Sequence, residues 1–412
     1  MEITTSTVKG FQDYLPPESM KRQEIKKIIE KNFKLYGFLP VETPIIEFEE
    51  LMRSDSLNEE DEAVADRFKL KDRGNRNLGL RYEFTFQLSR LLKENPNIKL
   101  PFKRYQIGPI FRDEPIRQGR TRQFTQCDID ILGDSTINAD AECISVLANI
   151  LKELKIKAEI QINNRTLLNS IIESVQIKAS QQVLRELDKI DKIGIDSVKT
   201  NLKKYASSNQ IITLFKLLEK DPKFFRENAF DGASELEALV SKCKIYGIKT
   251  KISLTMIRGF GYYTGNIFEL FIKDKKTAIA AGGRYDKLVG KFLNREIPAV
   301  GISFSLEALM DICQEEIKNL KISIYPKALI ISINQDNETI KLARKLRKNN
   351  ISCTTLSGNP SKSLDYANSL KIPYTIFLGA KEIEEKKFKL KDMSSGDEKL
   401  LSEKQLINKL KG

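Results

Sequence analysis

The stretch FRDEPIRQGRTRQFTQCDIDILG, residues 111–133, constrains the fold more than any other segment of the chain. It reads as two strands joined by a loop that carries Arg117, Arg120 and Arg122. On the second strand a period of two puts Gln126, Asp128 and Asp130 on one face and Cys127, Ile129 and Ile131 on the other. Such a strand suits an antiparallel sheet with helices on one side. The face with two carboxylates and an amide reads either as a floor for a cation or amine or as a solvent-facing polar edge. The arginine loop can wrap a polyphosphate, because guanidinium forks pair with phosphate oxygens and stay charged.

The rest of the pattern extends this sheet. An amphipathic helix over 18–36 (Ile25, Ile28, Ile29, Phe33) opens the chain and ends at Gly37, a C-cap position. Short strand signals follow in LPVETPII, DRFKLKD, NLGLRYEF and LPFKRYQIGPIFRD, with helical FEELMRS and FQLSRLLKE between them. A helix over 138–155 presents Ala141, Ile144, Leu147, Leu151 and Leu154 on one face. Residues 165–250 read as a helical insertion with no cluster of chemical groups. Strand signals return in KISLTMIRGFGYYTGNIFELFI, TAIAAGGRYDKLV and PAVGISFSL. From Pro326 strands and helices alternate as a compact α/β unit. The expected class is therefore α+β. A core is split into residues 1–164 and 251–322, an insertion spans 165–250, and a separate unit spans 326–412. A chain of 412 residues is long enough for about two or three domains.

Composition removes many chemistries. The chain has no histidine, so Ser/His/Asp triads, Cys/His pairs and HExxH zinc sites are impossible. Its five cysteines are widely spaced with no CxxC, which indicates neither a disulfide framework nor a zinc site and fits a reducing cytoplasm. No stretch has the ~18 apolar residues of a membrane span, and the first residues lack the apolar core of a signal peptide. We therefore expect a soluble, cytoplasmic protein with no membrane association. The formal charge is +13, and residues 326–412 hold 17 basic and 10 acidic side chains, about half of that excess. This region reads equally as a solvated lysine-rich surface or as a face for a polyanion such as nucleic acid.

Several segments resemble one enzyme family. GFLPVETPII, ending its turn at Pro44, resembles motif 1 of the class II aminoacyl-tRNA synthetases, and FRDE followed by RQFTQCDIDILG resembles their motif 2. RGFGYYTGNIFEL and AAGGRYDKL resemble the two signatures of histidyl-tRNA synthetases, and VKGFQDYLPPE resembles that family's N-terminal pattern. The unit after Pro326 is similar to its anticodon-binding domain. The resemblance covers nearly the whole chain, in order.

It implies an antiparallel class II sheet flanked by helices and a histidine–tRNA ligase activity that uses ATP with Mg²⁺. L-histidine and tRNA(His) would be the other substrates, and motif 1 would build a homodimer. Arg112 matches the arginine that holds the ATP α-phosphate, with Glu114, Arg120 and Arg122 near the adenine and terminal phosphates. Arg258 matches an arginine that approaches the α-phosphate and substrate carboxylate from the other side. Glu83, Thr85 and Gln126 match groups around the α-amino group, and in the transfer to tRNA a phosphate oxygen or Gln126 would manage the proton, which makes Arg112, Arg258 and Gln126 the expected catalytic residues. Asp130 and Tyr263 match the imidazole contacts, and Tyr262 and Tyr285 line that pocket. Arg117 and Gln118 are candidates to meet the tRNA acceptor end.

Two departures stand out. Motif 3 of the family ends in Gly-Leu-Glu-Arg, whereas GISFSLEALM puts Ser305 at the glycine and Ala308 at the arginine. The cation expected on the γ-phosphate is missing, and Arg120 or Arg122 is the expected substitute. Gly261 replaces the usual Asp or Ser before the tyrosine pair. The alternative reading is a synthetase-like paralogue that senses histidine as a regulatory subunit.

Overall fold

A computed structural model describes residues 4–52, 67–116, 119–257, 262–272, 278–318 and 326–411. The chain divides into two compact units, residues 1–13 with 26–320 and residues 14–25 with 321–412.

The first unit is built on an eight-stranded sheet. Its strands are β1 (Leu39–Pro40), β5 (Phe102–Phe111), β6 (Gln123–Leu132), β7 (Ala158–Asn164), β8 (Thr250–Ile252), β9 (Asn266–Ile272), β10 (Ala278–Arg284) and β11 (Ala299–Ser305). They lie in the order β1-β5-β6-β11-β10-β9-β7-β8. The six central strands pair antiparallel, and the short strands β1 and β8 join parallel at the two edges. The expected α+β class is the observed one. The first strand signals, however, do not all enter this sheet. β2 (Ile46–Phe48), β3 (Lys69–Lys71) and β4 (Asn77–Leu80) form a separate three-stranded sheet in the order β2-β4-β3. LPVETPII is thus divided around Pro44, whose missing N–H cannot serve a continuing ladder.

One face of the large sheet is covered. Cys127, Ile129 and Ile131 of β6 and Val300, Ile302 and Phe304 of β11 are buried, and the helix Ile137–Glu153 packs against these two strands. Phe33 packs against Tyr105 in a tilted contact and against Phe304 edge to face, at 5.4 and 6.5 Å between ring centres. Between β7 and β8 the chain runs through helices from Arg165–Ser174 to Ala233–Ile245.

GGRYD works as a latch for this layer. Asp140, wholly buried in the covering helix, accepts from Arg284 Nε at 3.4 Å and from Asn266 at 3.2 Å. Arg284 also donates to the carbonyls of Asp134 and Thr136, both at 3.0 Å. One guanidinium therefore ties the end of β10 to the start of the helix.

The second unit holds β12 (Ala328–Ser332), β13 (Cys353–Ser357), β14 (Tyr374–Leu378), β15 (Lys387–Asp392) and β16 (Glu398–Ser402) in the order β13-β12-β14-β15-β16. The continuous apolar run of β12 is buried on both faces. Ala328 and Ile330 pack with Leu342, Leu346, Leu406 and Leu410, while Leu329 and Ile331 pack with Ala367 and Ile372. Helices therefore cover both sides of the parallel part β13-β12-β14, as parallel strands require, while β15 and β16 add antiparallel at the edge.

Asp140→Ala would remove the closer of the two carboxylates from buried Arg284, leaving only Asp286 at 3.4 Å. We expect a loss of about 3–5 kcal/mol in unfolding free energy, measured by urea denaturation. A loss below about 1 kcal/mol would contradict this role of the pair.

Candidate active site

The uncovered face of the eight-stranded sheet is the floor of a cleft of about 1440 Å³. Register fixes which residues meet there. Asp130 lies opposite Arg104 on β5 and Gly301 on β11, and Gly301 lies opposite Gly283 on β10. One step along, Asp128 lies opposite Gln106 and Ser303. The glycines are needed for space: a Cβ at Gly301 would overlap the Asp130 carboxylate, and one at Gly283 would fall 2.9 Å from the Tyr263 ring.

Arg112 stands at the end of β5. Its guanidinium lies 4.5 Å from the centre of the Tyr82 ring and 5.2 Å from that of Phe124. Cation–π attraction to two rings and a hydrogen bond from Nε to the Tyr82 carbonyl at 3.4 Å hold this planar cation. The strand pair itself is closed from outside. The Arg112 N–H donates to the Arg122 carbonyl at 2.8 Å, and the N–H groups of Arg122 and Gln123 donate to the Gly10 carbonyl at 3.0 and 3.2 Å. Phe11 stacks on Phe111 at 6.3 Å. The VKGFQDY segment therefore anchors the arginine hairpin.

The hairpin arginines separate. Arg120 lines the cleft with Glu114, at 3.4 Å from its carboxylate. Arg122 is not among the residues that line the cleft; it pairs with Asp113 at 3.1 Å, and its side chain fills the space beside Gly10. Ala308 lines the cleft beside Gly119, which approaches its Cα. Ser305 has become an N-cap, its hydroxyl accepting the Ala308 N–H at 3.1 Å at the start of helix Leu306–Ile312. Glu307 accepts the Thr125 N–H at 2.8 Å and so fastens this helix to β6.

The other end is acidic and aromatic. Asp130 accepts from the Tyr285 hydroxyl and faces the Arg104 guanidinium at 2.5 Å. Arg104 is 0 % exposed. Gln126 donates to Asp128 at 2.9 Å, and the Tyr262 hydroxyl donates to Glu83 at 3.4 Å. Tyr262 lies 4.8 Å from Tyr263 and 6.0 Å from Tyr285, centre to centre. Thr85 follows at the start of helix Phe86–Glu94 and lines the same cleft. Among the described residues, Glu83 Oε1 and Asp128 Oδ1 are buried with no hydrogen-bond partner.

Three buried carboxyls in one cleft shift one another. Burial pushes Glu83 up to about 7, against the pull of Arg112 and with a further push from Asp130. Burial raises Asp128 well above the usual range, opposed by Arg104 and reinforced by Asp130 and Glu83. Asp130 is also raised by burial, with Arg104 and the Tyr285 hydroxyl drawing it back.

The cleft thus gathers Glu83, Thr85, Arg112, Glu114, Arg120, Gln126, Asp130, Tyr262, Tyr263 and Tyr285. Arg117, Gln118 and Arg258 lie outside the described residues. Sequence reasoning missed Arg104 and Tyr82. Arg104 shares the strand phase of Gln106 and Gly108 in KRYQIG, but its partner is visible only once β5 and β6 are in register.

The relatives agree with this architecture. A histidyl-tRNA synthetase family model matches residues 10–309, and an anticodon-binding domain model matches residues 327–412. Histidine–tRNA ligase 1 of Bacillus cereus is 37% identical over 95% of this chain and 94% of its own length. The crystal structure of histidyl-tRNA synthetase from a Nostoc species superposes with a TM-score of 0.86 at 25% identity, covering 100% of this chain and 99% of the other. A Bacillus halodurans structure described as an ATP phosphoribosyltransferase regulatory subunit/histidyl-tRNA synthetase shares the fold, with a TM-score of 0.74 at 22% identity over 90% of this chain and 97% of that one. The chain belongs to the histidyl-tRNA synthetase family.

Glu83 yields a ligand-free prediction. Its folded value near 7 exceeds that of an unfolded glutamate, so the folded state binds the proton more tightly. Stability therefore falls as pH rises from about 4.5 to about 7. Glu83→Gln should melt above the wild type beyond about pH 7, with the difference closing towards about pH 4.5. Calorimetric scans across that range check this; a difference independent of pH would contradict it.

Proposed function

We propose that this chain is a histidine–tRNA ligase whose cleft aligns the carboxylate of histidine with the α-phosphorus of ATP. The observation that carries the reading is the polarity of the cleft, with Arg112 stacked between two rings at one end and a carboxyl- and tyrosine-lined pocket at the other. An amino acid spans these ends in one orientation, with its carboxylate toward Arg112 and its side chain over the floor.

No general base is required for the first step. The histidine carboxylate is already ionised at neutral pH; one of its oxygens bonds to the α-phosphorus as the bond to pyrophosphate breaks. Arg112, with Arg258 from the opposite side, would stabilise the charge that develops on the α-phosphate. Glu83, Thr85 and Gln126 would hold the ammonium group. Asp130 and Tyr263 would face the ring nitrogens, with Tyr262 and Tyr285 enclosing the ring. In the second step the 3′-hydroxyl of the tRNA attacks the acyl carbon, its proton passes to a phosphate oxygen, and AMP leaves. Gln126 is a neutral amide already committed to Asp128, and we assign it orientation of the substrate rather than proton transfer.

ATP would arrive with Mg²⁺, which takes phosphate oxygens, waters and one or two carboxylates; Glu114 offers one at the phosphate end. Of the two arginines expected near the terminal phosphates, Arg120 is the one that lines the cleft and would serve in place of the cation missing at Ala308. Arg122 would act indirectly, by holding the hairpin. Arg117 and Gln118 would meet the acceptor end of tRNA(His), and the basic second unit would read the anticodon by backbone charge and contacts to unstacked bases. Leu39 on the edge strand β1, Ile46, Phe48 and Leu70 on the small sheet, and Ile45 just before it are exposed apolar residues, an area suited to a homodimer contact. Among the described residues no helix is long and apolar enough to cross a membrane, and the reaction belongs in the cytoplasm with translation.

Histidine-dependent exchange between ATP and pyrophosphate tests the reading. The wild type should exchange and charge tRNA(His), and Arg112→Ala should lose at least about 100-fold in kcat while remaining folded. Absence of exchange by the wild type at saturating histidine and Mg²⁺ would sink the ligase reading. Exchange without charging would instead support a regulatory paralogue.

A further inference from the structure

Asp130 does not face the cleft alone, because a second layer stands behind it. Arg104 is the third residue of β5, is 0 % exposed, and faces the Asp130 carboxylate at 2.5 Å from the directly opposed register position. None of its three nitrogens, and not Asp130 Oδ2 either, has a hydrogen-bond partner among the described residues, so the contact between Nη2 and Oδ2 is ionic. A guanidinium buried with open donors is costly, and such a group calls for a reason. The salt bridges of this unit that involve exposed lysines and arginines could be removed at little cost; this one could not.

We infer that Arg104 is a positioning residue for substrate selection, holding Asp130 ionised and oriented so that the ring of bound histidine meets a carboxylate at one fixed point of the floor. The inference rests on the ligase reading and deepens it. Glu83, Asp128 and Asp130 share the cleft, and three buried carboxyls in proximity do not all ionise at neutral pH. The counter-ions decide where charge resides. Arg112 is the principal cation acting on Glu83; Arg104 acts on both Asp128 and Asp130 but touches only Asp130. Asp128, without a cation in salt-bridge contact among the described residues and pushed up further by its two acidic neighbours, is the carboxyl that keeps its proton. The floor then offers an ionised acceptor at Asp130 and, one step along β6, an acid with an open oxygen at Asp128. Neutral imidazole carries one N–H donor and one bare nitrogen acceptor; an ionised Asp130 takes the N–H and leaves the second nitrogen to the Tyr263 hydroxyl.

The test uses the full-length protein and histidine itself. Calorimetric titration gives the histidine Kd from about pH 7 to about pH 9 for the wild type, Arg104→Met and Arg104→Lys. Without Arg104, Asp130 holds its proton to higher pH. Arg104→Met should therefore weaken histidine binding at least about tenfold at pH 7, and the ratio to wild type should shrink towards pH 9. The Kd for ATP should change less than about threefold. Arg104→Lys keeps the charge and should recover most of the affinity, and it carries the test if the methionine variant does not fold: its ratio to wild type should also narrow with rising pH. A ratio that stays constant across pH, or parallel losses for histidine and ATP, would overturn the inference and leave Arg104 a packing residue. Binding without pyrophosphate exchange by the wild type would defeat the ligase reading alone, and a wild type that binds no histidine would defeat both.

Discussion

The ion pair between Arg104 and Asp130 is the interaction on which the cleft depends. Two charges are sealed into a sheet at a desolvation cost of several kcal/mol per ion, and the surrounding architecture is arranged to make this tolerable. Glycines at 283 and 301 open the space, Tyr285 donates to the carboxylate from above, and the register of β5, β6 and β11 brings these groups together. A slip of one residue in β6 would turn Asp130 into the helix-packed layer and Ile129 or Ile131 into the cleft. The apolar residues that make the sheet fold therefore also fix where its charges point.

The covered face supplies the rigidity that this arrangement needs. Arg284 latches β10 to the helix over the sheet, while Gly10 and Glu307 fasten the hairpin from two other segments. Residues from the beginning and the end of the first unit thus hold the start of β6 in place. A chain without histidine can use such a site because the nucleophile arrives ionised. What the protein must supply is fixed positive charge at the phosphorus and a shaped, largely water-free floor.

Much of this was legible in the sequence, for identifiable reasons. The alternation in QFTQCDIDIL assigned both faces of β6 without reference to any other strand, and the return of strand signals after residue 250 matches β8 to β11. The arginine hairpin was legible because three arginines in one loop leave few other readings. What escaped was long-range. Arg104 looks like a surface cation until β5 is set beside β6, and Gly10 has no local signal for its carbonyl's role in the hairpin. Arg120 and Arg122 are two residues apart and chemically identical, so only the fold separates the one that lines the cleft from the one that pairs with Asp113. The division of LPVETPII between two sheets turns on Pro44, whose effect on pairing depends on which strands compete for the chain. Ser305 and Ala308 read as losses from a pattern; in the structure Ser305 caps the helix that Ala308 continues.

The central claim is that the cleft orients one amino acid, with its carboxylate toward Arg112 and its ring at the Asp130 end of the floor. A crystal structure of the protein with bound histidine tests this most directly. We predict a ring nitrogen within hydrogen-bonding distance of Asp130 and the α-carboxylate on the Arg112 side. A reversed pose, or histidine bound away from β6, would contradict the account.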